Sequence, residues 1–175
     1  YMIPIYKQLI TTVIAPHGIT DIIHAAQYNM TTELVTFNGL TIGTSYALSE
    51  KAPLLLDGAF IAASVVHFRH DMPHINAIPR ATLSAALIAV SIMYDPNILI
   101  LYMVLSHVPN HYRTNWKYIS TDKKNVGLIV LFTIVLFFGG EIFPDLYESG
   151  LTFDCAKGLI ISHVVYNEKY IYNDE

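Results

Sequence analysis

The stretch "NILILYMVLSHVPNHYRTNW", residues 97–116, passes from an uncharged apolar run into a polar one and sets His107 and His111 four residues apart across the change. On a helix, residues four apart share a face, with about 5–6 Å between their Cβ atoms. That spacing suits two ligands of one metal ion. It equally suits two interfacial histidines wetting the end of a helix. Pro109 lies between them and has no N–H to offer the carbonyl of Leu105, so a kink is expected there.

The apolar run has counterparts along the chain. Residues 53–68, 81–94, 97–111 and 126–140 are clear apolar segments, and 150–166 is another that carries Asp154 and Lys157 in its first half. Residues 1–15, 17–30 and 34–48 are weaker, and in the last of these Gly39 and Gly43 have the small-xxx-small spacing that lets helices approach in lipid. Of the 175 residues, 53% are hydrophobic and 14% charged, against about 25% charged in an ordinary soluble domain. Mean hydropathy is +0.42. A single membrane domain spanning residues 1–175 is expected, all-α, a polytopic transmembrane helix bundle of about five to seven segments. The rival is a soluble helical protein with a large core. The apolar runs are shorter than the roughly 20 residues a spanning helix needs, so they must extend into polar flanks, sit in a thin bilayer or include re-entrant pieces.

Charge in the connections supports the crossing pattern. If each clear segment crosses once, the links 69–80 (Arg69, Arg80) and 112–125 (Arg113, Lys117, Lys123, Lys124) fall on one side. Links 95–96 and 141–149 fall on the other and carry only acids. The positive-inside rule then makes this an integral membrane protein with loops 69–80 and 112–125 cytoplasmic. The net charge is −4 and the basic residues form no sustained patch, so no nucleic-acid partner is expected. The lone Cys155 allows no internal disulfide. The opening Tyr1 reads as a missing or processed start, with no charged signal region visible. The triplet at 29–31 fits a glycosylation acceptor, and the tail 167–175 reads as a fraying or interfacial end.

The same topology brings His67, His107, His111 and His163 to the basic face from three separate helices. Ionisable side chains in such helices usually face the bundle interior or a wet cavity. His67 still belongs to its apolar run and is a ligand candidate, whereas His70 and His74 read as solvated loop residues. Pro16 can open a helix, which puts His17 near its start and Asp21 one turn on. Asp21 could orient an imidazole by accepting its second N–H, or simply sit at the positive end of the helix. Asp57, in "PLLLDGAF", is either part of such a polar network or an interfacial acid opposite Lys51.

Three patches, "APHGITD" (15–21), "ASVVHFRHD" (63–71) and "LSHVPNHYR" (105–113), together resemble the histidine motifs of the Brp/Blh-type β-carotene 15,15'-dioxygenases. Pro16, His17, Gly18 and Asp21 match the first motif of that family. Ser64, His67 and Phe68 resemble the second, and His107, Pro109, His111 and Arg113 the third. The resemblance implies a membrane enzyme in which His17, His67, His107 and His111 ligate one Fe(2+). Asp21 and Asp57 would orient those ligands. It also implies O2 as co-substrate, an apolar carotenoid drawn from the lipid bilayer, cleavage at the central double bond to retinal, and a functional link to a retinal-binding rhodopsin. The chain is shorter than the family pattern, with only 40 residues from His67 to His107. His24 does not stand directly after the acid, where that pattern often has a second histidine.

Phe132, Phe137, Phe138, Met103 and Trp116 are candidates to line a substrate channel, or to pack and meet lipid. A membrane di-iron desaturase or hydroxylase is the rival enzyme class, but the chain lacks the adjacent His-His pairs those enzymes normally carry. A non-enzymatic small membrane or structural subunit is the rival of a different kind. A haem-binding bundle is a further alternative. No Ser-His-Asp order, Gly-rich phosphate loop or Cys-x-x-Cys pair points to other chemistry.

Overall fold

A computed structural model describes residues 9–142 and 150–172. The first part of the 1–15 run, most of the acidic link after residue 142 and the last three residues of the tail lie outside the described residues. Those described are helical, with no strand among them. A π turn, Ile10–Ile14, and a 3-10 turn, Ala15–Gly18, lead into α1 (Ile19–Gln27). Then come α2 (Thr31–Lys51), α3 (Pro53–Phe68) and α4 (Ala77–Met93). The 97–116 stretch forms α5 (Asn97–Tyr102), a second π turn (Met103–His107) and α6 (Val108–Ile119). The chain closes with α7 (Lys123–Ile142) and α8 (Gly150–Tyr170).

The expected kink at Pro109 takes the form of the π turn. In an α-helix the Leu105 carbonyl would wait for the missing N–H of Pro109. In a π turn each carbonyl is met from five residues on, as Val108 N–H meets the Met103 carbonyl. On that pattern the partner of Leu105 is Asn110, which has an N–H. The same solution precedes Pro16, where Ala15 N–H meets the Ile10 carbonyl. Each proline stands six residues after the first residue of its π turn.

Between α1 and α2 the chain reverses through Asn29, whose φ of 58° is the left-handed conformation an Asn tolerates better than most residues. This turn holds the 29–31 triplet. The last helix, α8, is the central element and packs along α2 and α3. Its approach to α2 is set by Gly158: a Cβ there would stand 2.8 Å from both the Thr41 carbonyl oxygen and Ser45 Oγ. Gly39 and Gly43 do not serve this purpose, since a Cβ on either meets nothing within 4 Å. A small cluster of Ala25, Leu34, Tyr166 and Ile171 fastens α1, α2 and the end of α8 together.

The helices are apolar on their outer faces as well. Leu54, Ile78, Met93 and Leu105 are among the large hydrophobic side chains left exposed. Hydroxyls within the apolar helices satisfy themselves: Ser64, Ser84, Ser91 and Thr133 each donate to the carbonyl four residues back. Among the described residues no helix is long and apolar enough to cross a membrane. The strongly apolar helices α3 and α4 have 16 and 17 residues, against about 20 for a full crossing.

Candidate metal centre

Five imidazoles from five stretches of chain meet at one end of the bundle. His17 comes from the 3-10 turn before α1, His67 from the last turn of α3, His107 from the π turn, His111 from α6 and His163 from α8. The His17 ring centre lies 5.3 Å from that of His107 and 5.0 Å from those of His111 and His163. His67 completes the group, 4.7 Å from His107 and 4.8 Å from His163. The first four rings are buried and His163 is nearly so.

The hydrogen bonds sort the rings by what they have left to give. His163 Nδ1 lies 2.7 Å from Asp21 Oδ2, and His107 Nδ1 lies 2.9 Å from Asp71 Oδ2. His17 Nδ1 faces the Ile14 carbonyl. An oxygen acceptor at Nδ1 fixes the proton there and turns the lone pair of Nε2 outward, the usual arrangement behind a metal-bound histidine. The Nε2 atoms of His17, His107 and His163 are buried and without a hydrogen-bond partner, and so are both ring nitrogens of His67. Ring nitrogens of His17, His67 and His163 lie within 4.8 Å of one another.

His111 differs. Its Nε2 is 3.2 Å from Asn167 Oδ1, and its Nδ1 is 3.2 Å from Asn115 Nδ2. Asn167 Nδ2 in turn donates to Asp21 Oδ1 at 2.9 Å and to the His163 carbonyl at 2.8 Å. Its amide is thereby oriented with the oxygen toward His111, which places the His111 proton on Nε2. Asp21, His111 and His163 also hold ligand atoms within 4.8 Å of one another, but both oxygens of Asp21 and both nitrogens of His111 already have protein partners.

The acids are distributed otherwise than the sequence suggested. Asp21 does orient an imidazole, but that of His163 rather than His17. Asp57 takes no part: it stands ten residues before His67 on α3 and pairs with Lys157 Nζ at 2.7 Å. An acid half-exposed near a lysine from α8 has a nearer and stronger partner than any ring nitrogen. Asp71, in the polar link after α3, is the acid that holds His107. Tyr102 donates to its Oδ2 at 2.6 Å and Asn110 to its Oδ1 at 3.1 Å. Burial alone would push this carboxyl up; the hydrogen bonds from His107, Tyr102 and Asn110 outweigh it and hold the carboxyl below its ordinary range.

Around the centre, Phe68 packs on His107 with ring centres 5.0 Å apart. His70, expected to be solvated, bonds Glu168 at 2.7 Å and stacks on Tyr172 at 4.0 Å. Arg69 holds the other oxygen of Glu168, also at 2.7 Å. His74 stays exposed in the link, and Trp116 and Phe138 lie largely on the outside of the bundle. His24 pairs with Tyr166 Oη at 2.8 Å, away from the five rings.

Sequence reasoning brought His163 to this end of the bundle but left it out of the ligand set. Its neighbours, "GLIISHVVY", form no motif. The available signal was its predicted depth on the basic face. No family model matches the chain, and no curated protein and no solved structure matches it either.

Proposed function

We propose that this chain is an integral membrane oxygenase with one iron bound by His17, His67, His107 and His163, cleaving β-carotene or a related carotenoid centrally to retinal. The observation that carries the metal reading is the set of four buried rings with unpartnered Nε2 atoms, three of them fixed through Nδ1 by an oxygen. A buried polar atom left without a partner costs about 1–3 kcal/mol, so the nitrogens of His17, His67 and His163 within 4.8 Å of one another, with the unpartnered Nε2 of His107 on a ring 4.7 Å from that of His67, call for a guest. The donor set suits the group: imidazole binds iron well, and neutral ligands without a carboxylate leave its charge to be met from further out. Asp21 and Asp71 stand where they can do so.

Ferrous iron so held would supply the site at which dioxygen meets an alkene. The chain's residues do the rest. Asp21 and Asp71 keep protons on the far nitrogens of their histidines. Asn167 ties Asp21 to His111, and Phe68 packs an apolar ring against His107, limiting water. The carotenoid and retinal rest on the likeness of the three motifs, now with His163 in the place first given to His111. The bilayer setting is supported by the apolar outer faces, the self-satisfied hydroxyls and the charge alternation of the links. The basic links 69–80 and 112–125 would then face the cytoplasm.

Expression in carotene-producing cells tests the activity: the colour should bleach as retinal accumulates, and His107→Ala should abolish both. Full carotene retention with the protein present in membranes would sink the carotenoid reading. A two-metal centre of the desaturase kind has one observation in its favour, the second group of Asp21, His111 and His163 beside the first. Iron stoichiometry separates the two, one per chain against two.

A further inference from the structure

One helical turn beyond the Asp21–His163 bond, the same two helices make a second buried pair. His24 follows Asp21 by three residues on α1, and Tyr166 follows His163 by three on α8. Residues so spaced are neighbours on a helix face. His24 Nδ1 and Tyr166 Oη are 2.8 Å apart, and both side chains are buried. The aromatic contacts continue outward. The His24 ring lies 4.5 Å from that of Tyr118 and 4.7 Å from that of Tyr28. Tyr28 is 57% exposed. Tyrosine and histidine thus form a continuous path from beside the histidine centre to the surface. Nothing in the proposed cleavage uses it.

We propose that Tyr166 and His24 form a proton-coupled redox pair that drains oxidising equivalents from the metal centre to Tyr28 at the surface. This rests on the metal reading above. In the step, Tyr166 gives one electron to the oxidised centre and its hydroxyl proton to Nδ1 of His24. A neutral tyrosyl radical and an imidazolium result, and the centre is reduced by one electron. The O–H bond breaks and an N–H bond forms across the 2.8 Å contact, so the proton moves without leaving the pair. A soluble one-electron reductant of the ascorbate or thiol class restores the electron through Tyr28, and the proton returns from His24 to the phenolate oxygen. An oxygen-activating centre that fires without substrate would then be rescued rather than oxidise its own ligands.

The test uses purified full-length protein loaded with ferrous iron, with metal content measured on the same samples. It is mixed with hydrogen peroxide without carotenoid, freeze-quenched and examined by electron paramagnetic resonance. The expected result is a tyrosyl signal that narrows with ring-deuterated tyrosine, is lost in Tyr166→Phe, and decays more slowly under ascorbate in Tyr28→Phe. Iron-loaded protein with no tyrosyl signal, or an undiminished signal in Tyr166→Phe, overturns the redox pair and leaves the metal centre standing. Failure to bind iron overturns both. Should Tyr166→Phe not retain iron, His24→Gln decides: without the proton acceptor the signal should vanish, and its persistence refutes the pair.

Discussion

The two ends of α8 treat their polar side chains in opposite ways. Near its start, Lys157 Nζ sits 2.7 Å from Asp57 and 3.1 Å from Asp154, so cation and carboxylates answer one another. Near its end, His163 is held on one nitrogen by Asp21 and left on the other with nothing, beside His17 and His107 in the same condition and His67 with neither nitrogen engaged. The first arrangement closes on itself and ties α3 to α8. The second is oriented but incomplete. Self-contained polarity fastens helices; oriented, unsaturated polarity prepares a place for something else.

That contrast can be broken at either end. The largest effect expected is from His67→Ala or His163→Ala, which should bring bound iron to background in metal analysis and end retinal formation. Full iron retention in either would dissolve the distinction. His111→Ala sharpens it, since both nitrogens of that ring are engaged by asparagines; more iron should survive there than in His163→Ala. Next, Asp71→Asn removes the anchor of His107 and should weaken iron about 10–100-fold in chelator competition, the usual cost of losing such a partner. Lys157→Met, at the other end, should leave that affinity unchanged.

Smaller effects follow where no ligand is touched. Gly158→Ala forces a Cβ against the Thr41 carbonyl and Ser45 Oγ at 2.8 Å. It should lower stability in thermal unfolding by about 1–3 kcal/mol, the range for overpacking, without changing iron affinity. The smallest concerns Glu168. Burial would raise its carboxyl, but His70 and Arg69 outweigh this and hold it below its ordinary range. A depressed carboxyl stabilises the fold above its unfolded pKa, and the contribution fades as pH falls through the lower folded value. Acidification below the ordinary glutamate range should therefore loosen the 69–70 link from α8, read as faster proteolysis there. Glu168→Gln should show little of this pH dependence. With Arg69 about two-fifths exposed, the effect stays well under about 1 kcal/mol.

Helix positions were legible because apolar runs announce helices, and the alternation of those runs set His67, His107, His111 and His163 at one end; His17 joined them only through the resemblance of its motif. What stayed hidden depended on partners distant in sequence. Asp57 read either as part of a polar network or as an interfacial acid opposite Lys51, and its partner is Lys157, a hundred residues away. Asp71 sits in a polar link, where a carboxylate reads as solvated, yet its side chain is folded under Tyr102 and His107. Gly39 and Gly43 had the spacing of a contact, whereas the close approach falls on Gly158, isolated in sequence. His163 lacked a motif altogether. In each case the deciding contact is tertiary, and local pattern carries no record of it.

An α-helix advances about 100° per residue, so side chains five apart diverge by about 140°. Tyr102 and His107 are five apart and still reach the same oxygen of Asp71, at 2.6 and 2.9 Å. The wide turn from Met103 to His107 absorbs the mismatch, like one extra tooth in a gear. The centre is therefore keyed to angular phase and not to the count of residues between its histidines. Deleting a single residue from 103–106 would swing His107 off its carboxylate with every side chain of the centre still encoded.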